Sequence, residues 1–163
     1  MAEITVDFAA AGRIANRVEL KGIRLTEFSA KCNPKMMGTL EPTIDHDCAV
    51  SGREGTALEI VCNYRFAARI GQVQAADAAI TYLLLYELQG NEPVSDEDIT
   101  QFALSNGVLH SWPFVRELIY ALTSRMGYPP YTLPVFHFRP KPGITGSTGK
   151  AAPAQQKQDT PGQ

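Results

Sequence analysis

Between Ala57 and Ile70 apolar side chains fall at every second residue: Leu58, Ile60, Cys62, Tyr64, Phe66, Ala68 and Ile70 alternate with Glu59, Asn63, Arg65 and Arg69. A helix would scatter those seven positions around its whole circumference, whereas a strand points all of them to one side. The segment is therefore a long strand with one buried face, and the rest of the chain must cover that face. Residues Val18 to Lys31 also read as a strand. Val18 and Leu20 lie out of phase with Ile23 and Leu25, which predicts a bulge or sharp twist at Gly22. The next strand holds Leu40, Pro42, Ile44, His46, Cys48 and Val50 on one side and Glu41, Thr43, Asp45 and Asp47 on the other. Pro42 has no N–H to donate, so it belongs near the strand's start or at a sheet edge. Gly52-Arg53-Glu54-Gly55 supplies a hairpin turn. After Gly71-Gln72 a fourth strand carries Ala76, Ala78, Ile80, Tyr82, Leu84, Tyr86 and Leu88 on one face, with Ala79, Leu83 and Leu85 behind. Short turns imply an antiparallel sheet. Apolar residues on both faces call for a partner on each, helices on one and another subunit as a candidate for the other.

Helical patterns flank these strands. Phe8 to Arg17 form a short helix with Phe8, Ala11, Ile14 and Ala15 as its stripe. After Pro93, Ser95 and Asp98 resemble a capping box, and Asn106-Gly107 is the expected stop. Ser111 is the expected N-cap of the main helix, with Pro113 in its first turn. Val115, Leu118, Ile119, Leu122 and Met126 form its stripe, and Gly127 ends it. Tyr128 to Phe138 contains Pro129, Pro130 and Pro134 and must be extended. From Pro140 onward no aromatic residue occurs, and the composition cannot bury enough surface to offset ordering entropy. The reading is an α+β fold, a four-stranded antiparallel sheet with two C-terminal helices, over residues 1–139, followed by a disordered tail over 140–163.

Composition excludes several functions. A net charge of −2 and a pI near 5.9 argue against nucleic-acid or anionic-membrane binding, which normally needs a basic face. No signal peptide or membrane span is legible, so a cytoplasmic protein is expected. The three cysteines, Cys32, Cys48 and Cys62, fit no zinc template, and their odd count agrees with a reducing compartment. His46-Asp47-Cys48 is half of a metal site or, more simply, two strand residues on one face. The simpler reading is favoured because structural zinc takes four ligands. Asp45 and Asp47 would lie roughly 6.6 Å apart on one strand face. Solvated acids there are commoner than an acid pair that does chemistry. His110 and His137 have no evident catalytic partner, and no phosphate loop or nucleophile elbow occurs. No cofactor or metal is expected, and a small-ligand enzyme is the weakest reading.

One cluster asks for another explanation. Tyr128, Tyr131, Phe136 and Phe138 lie in the proline-stiffened segment, and Met36, Met37 and Leu40 lie in a linker between strands. They form either an ordinary lid over a small core or a groove for extended apolar peptides. Flat rings and flexible thioethers suit the groove, because they adapt to many shapes.

The stretch Leu109-His110-Ser111-Trp112-Pro113-Phe114-Val115-Arg116-Glu117, continuing through Thr123-Ser124-Arg125 to Pro129-Pro130-Tyr131-Thr132-Leu133-Pro134-Val135, resembles the signature of the SecB protein-export chaperones. Weaker similarity extends over residues 14–138. The resemblance implies a homotetramer, a dimer of dimers, that holds unfolded preproteins for the SecA translocase motor without ATP. It places peptide contacts at Met36, Met37, Leu40, Trp112, Tyr128, Tyr131 and Phe136, and subunit contacts on the long helix at Arg116, Tyr120 and Thr123. The family's motor-docking acids fall here on Gly22 and Thr26. That departure raises the alternative of a SecB-like chaperone dedicated to an antitoxin, a subfamily that often carries an added N-terminal helix.

Overall fold

The computed structural model describes residues 5–90 and 92–140. The described chain opens with a two-residue strand, β1 (Thr5–Val6), and helix α1 (Phe8–Ala15). Asp7 caps α1 by accepting from the Ala9 and Ala10 N–H groups. Four long strands follow: β2 (Val18–Cys32), β3 (Glu41–Glu54), β4 (Ala57–Ile70) and β5 (Val73–Leu88). They pair antiparallel in the order β2–β5–β4–β3, so β3, β4 and β5 form a meander and the crossover at residues 33–40 sets β2 beside β5. A register shift between Leu20 and Gly22 matches the bulge expected from the broken alternation. The expected tail lies outside the described residues from 141 onward, and no described helix is long and apolar enough to cross a membrane.

The apolar side of β4 and β5 is covered by helices. Tyr64, Phe66, Leu58, Ile60, Ile80 and Leu84 from the sheet meet Phe102, Val108, Val115 and Ile119 from above. These come from α2 (Asp96–Phe102) and α3 (Val108–Arg125). The cover is lopsided. No residue of β2 is fully buried, although its apolar side chains share the helix-facing side of the sheet.

The expected stop at Asn106-Gly107 does not occur. Residues Ala103–Gly107 form one π-helical turn that runs directly into α3. Gly107 keeps helical backbone angles, and its lack of a side chain serves a close approach. A Cβ there would lie 3.0 Å from Cys62 Sγ and 3.2 Å from Ile60 Cγ2. Ser111 is consequently inside the helix and is no N-cap. Its hydroxyl donates to the Gly107 carbonyl at 2.6 Å and accepts from the Tyr64 hydroxyl at 2.6 Å, pinning helix to sheet. Pro113 also lies inside α3, where it cannot donate to the carbonyl one turn back.

Two further expectations change. Ser95 accepts from the Asp98 N–H, but the Asp98 carboxylate makes no capping bond to the Ser95 backbone N–H and pairs with Arg13 of α1. That bond to Arg13 holds the Asp98 carboxyl below the usual carboxylate range. Where the cysteine count points to a reducing setting, the structure joins Cys48 to Cys62, opposed on β3 and β4 with Cα atoms 4.1 Å apart. Cys32 remains free and exposed. The half-site reading of His46-Asp47-Cys48 therefore loses its sulfur ligand.

Candidate functional site

Beyond α3, Gly127 takes a positive φ of 83° and turns the chain back over the sheet. Residues 129–138 then run extended, as their prolines dictate, alongside the helix. Fastening comes from side chains on one helical stripe, Trp112, Arg116 and Thr123, spaced by four and seven residues. The Tyr131 N–H donates to Thr123 Oγ1 at 2.9 Å, Arg116 Nε donates to the Leu133 carbonyl at 2.9 Å, and Trp112 Nε1 donates to the Pro134 carbonyl at 3.0 Å. The segment thus descends the helix antiparallel to it, held by its backbone groups. The Tyr128 hydroxyl is shared between the carbonyls of Asn33 and Ala75, each at 3.1 Å, which ties the start of the segment to the crossover. At its far end β6 (Arg139–Pro140) pairs parallel with β1.

Beneath this strap lies an aromatic layer. Tyr131 packs near Phe66 with ring centroids 6.5 Å apart, and Phe136 meets Trp112 at 5.1 Å and His46 at 4.8 Å. Phe138 links Phe136 to Phe8 of α1. His46 is buried among Tyr64, Trp112 and Phe136, and neither ring nitrogen has a hydrogen-bond partner among the described residues. Burial pushes its pKa down, against a weaker upward pull from Asp45 and Asp47. Tyr86 and His110 are hydrogen-bonded at 2.8 Å, a second tether between sheet and helix.

The seven expected peptide contacts separate by exposure. Met37 is 89% exposed, and Met36, Leu40, Tyr131 and Phe136 are half-buried against the core. Trp112 and Tyr128 are buried and present their polar atoms to the strap and the crossover. Of the three residues expected at a subunit interface, Tyr120 is half-exposed. Thr123 is fully buried, and Arg116 is half-buried and committed to the Leu133 carbonyl, so both face inward, because the strap supplies acceptors and donors that sequence spacing does not reveal. Residue spacing also missed Leu133, the strap residue that is buried in the core, and His46 as the centre of the aromatic cage. The one available signal was the pairing of Trp112 and Arg116 at i, i+4, two donors side by side on one stripe of the helix. A shallow depression of about 360 Å³ lies on the opposite face of the sheet, lined by Glu27, Asp47, Asn63, Arg65 and Thr81 with their neighbours. None of the expected contacts borders it.

No protein-family profile matches the chain. It is 28% identical to the SecB-like chaperone Rv1957 of Mycobacterium tuberculosis, over 83% of this chain and 86% of that protein. A shorter region is 32% identical to the protein-export protein SecB of Ehrlichia chaffeensis, over 50% of this chain and 49% of that one. The solved structure of Rv1957 in complex with a ChAD peptide from the Rv1956 HigA1 antitoxin superposes with a TM-score of 0.72, at 25% identity, over 78% of this chain and 97% of that one. The first of these relatives is named a chaperone and the second a protein-export protein. In sequence and in fold alike, the chain is SecB-like.

Proposed function

We propose that this chain is an ATP-independent holdase that captures extended, non-native polypeptide in the cytoplasm, and that its principal client is an antitoxin. The observation that carries the reading is the apolar core face against which Met36, Leu40 and the strap residues Tyr131 and Phe136 lie only half-buried, with Met37 exposed. Such a surface adapts to an unfolded segment through flat rings and flexible thioethers. The choice of client is supported by similarity to Rv1957, whose structure holds an antitoxin peptide. No bond is made or broken in this function. A client segment covering about 400 Å² of apolar surface would gain up to ~10 kcal/mol gross, and association costs remove much of it. Several sites acting on one long chain would restore affinity. Leu25 and Phe28 of β2, Phe114 and Tyr120 are all close to half-exposed. That apolar ledge supports a homo-oligomer, with a dimer of dimers as the expected form.

A general export holdase is the second reading, favoured by the partial similarity to Ehrlichia SecB. Gly22 and Thr26, at positions expected to be acidic, weigh against docking to SecA. Polypeptides co-purifying with the protein from its native cells separate the two readings. One dominant antitoxin supports the first, and a broad set of preproteins supports the second. If nothing co-purifies and aggregation of a chemically unfolded client proceeds unchecked at equimolar chaperone, neither reading survives.

A further inference from the structure

We infer that residues 129–138 are a built-in occupant of the peptide site, which a client displaces in order to bind. The inference rests on the chaperone reading above and specifies how that site works. The strap has the chemistry of a client: it is extended, places Leu133 in the core, and sets Tyr131 and Phe136 against Phe66 and Trp112. Its carbonyls are read by Arg116 Nε and Trp112 Nε1. Those two donors recognise features that every polypeptide possesses, so they bind a foreign chain as readily as residues 133 and 134. Among the described residues, no backbone–backbone hydrogen bond joins 129–138 to the sheet or the helix. Most of its residues are exposed, which marks a segment of low opening free energy. Opening would uncover Phe66, Tyr64 and His46 together with the two donors.

Exchange follows from the same contacts. Opening without a client would expose the buried Leu133, Phe66 and Tyr64 to water, which disfavours the empty, open state, so the strap leaves mainly when a client replaces it. Pro129, Pro130 and Pro134 keep the strap extended when it is released, which makes its return cheap in entropy. Apparent client affinity is then reduced by the fraction of molecules whose strap is closed. Weakening the strap without touching the donors must tighten client binding.

The test uses the full chain and reduced, carboxymethylated α-lactalbumin, a probe that cannot refold. In the wild type, hydrogen–deuterium exchange at the Tyr131 amide, which donates to Thr123, should accelerate when the probe is added. Leu133→Ala should bind the probe about threefold or more tighter, because its strap opens more often. If the wild type binds the probe while the Tyr131 amide keeps or gains protection, and Leu133→Ala binds no tighter, the strap is a fixed wall of the site. The inference is then overturned and the chaperone reading stands. If the wild type binds neither the probe nor any cellular polypeptide, both fall. Should Leu133→Ala fail to fold, the wild-type exchange result decides alone.

Discussion

His46 carries a burial cost that its surroundings do not relieve. Its ring lies among Tyr64, Trp112 and Phe136 with both nitrogens unpartnered among the described residues, and Asp45 and Asp47 sit on the same strand but alternate to its other face. A histidine whose native pKa is lowered takes up its proton more readily when unfolded. Stability therefore falls as pH drops through the ordinary imidazole value near ~6.5 and levels off once the native ring is protonated too. His110, also lowered by burial, adds the same sign. Thermal midpoints should be lower at pH 5 than at pH 7.5, and His46→Phe should remove part of that difference; an unchanged difference would contradict the assignment. Asp98 titrates elsewhere: its depressed carboxyl stabilises above the ordinary value near ~3.9 and loses that contribution only in stronger acid. Gly107 offers a steric test. Gly107→Ala should cost about 1–3 kcal/mol in denaturant titration, since the methyl group has no room against Cys62 and Ile60. Gly12→Ala, where nothing lies within 4 Å of the new carbon, should be neutral or stabilise by up to ~1 kcal/mol.

At the scale of elements, β4 was legible to the residue, because strict alternation leaves a single face to bury. The break in phase at Gly22 announced its bulge for the same reason. The helical run was misread at Asn106-Gly107, since local signals there spell a stop while the sheet below rewards a glycine that stays helical. Pairing of Cys48 with Cys62 was hidden by one residue. The turn sets Glu54 opposite Ala57, and only the register shift between Val50 and Gly52 brings the two sulfurs face to face. The contact residues of the candidate site were legible in kind but not in orientation: rings and thioethers can be recognised in a sequence, but the partner of a helical hydroxyl cannot. Thr123 shows this, donating to the Ile119 carbonyl while accepting from the Tyr131 N–H. Thr123→Val keeps the shape and strands that N–H, so it should cost about 1–3 kcal/mol and speed exchange at the Tyr131 amide. No change at that amide would mean the hydrogen bond does not hold the strap.

For the molecule as a whole, the sheet is unevenly covered, with β2 as an edge strand that has no fully buried residue. A long edge strand with apolar side chains in solvent invites pairing or burial. Light scattering should give a particle near four times 17.8 kDa. Leu25→Glu combined with Phe114→Glu should lower that mass while leaving the circular dichroism spectrum intact; a monomer in the wild type would remove the basis for multivalent capture. The parallel pairing of Thr5–Val6 with Arg139–Pro140 has a practical consequence of its own. It makes the first described residues a buckle for a segment more than a hundred positions away. A purification tag fused at the front, or a protease nick ahead of Phe8, would slacken the strap that carries Phe136 and, on the proposed function, change client capture without altering any residue of the aromatic layer.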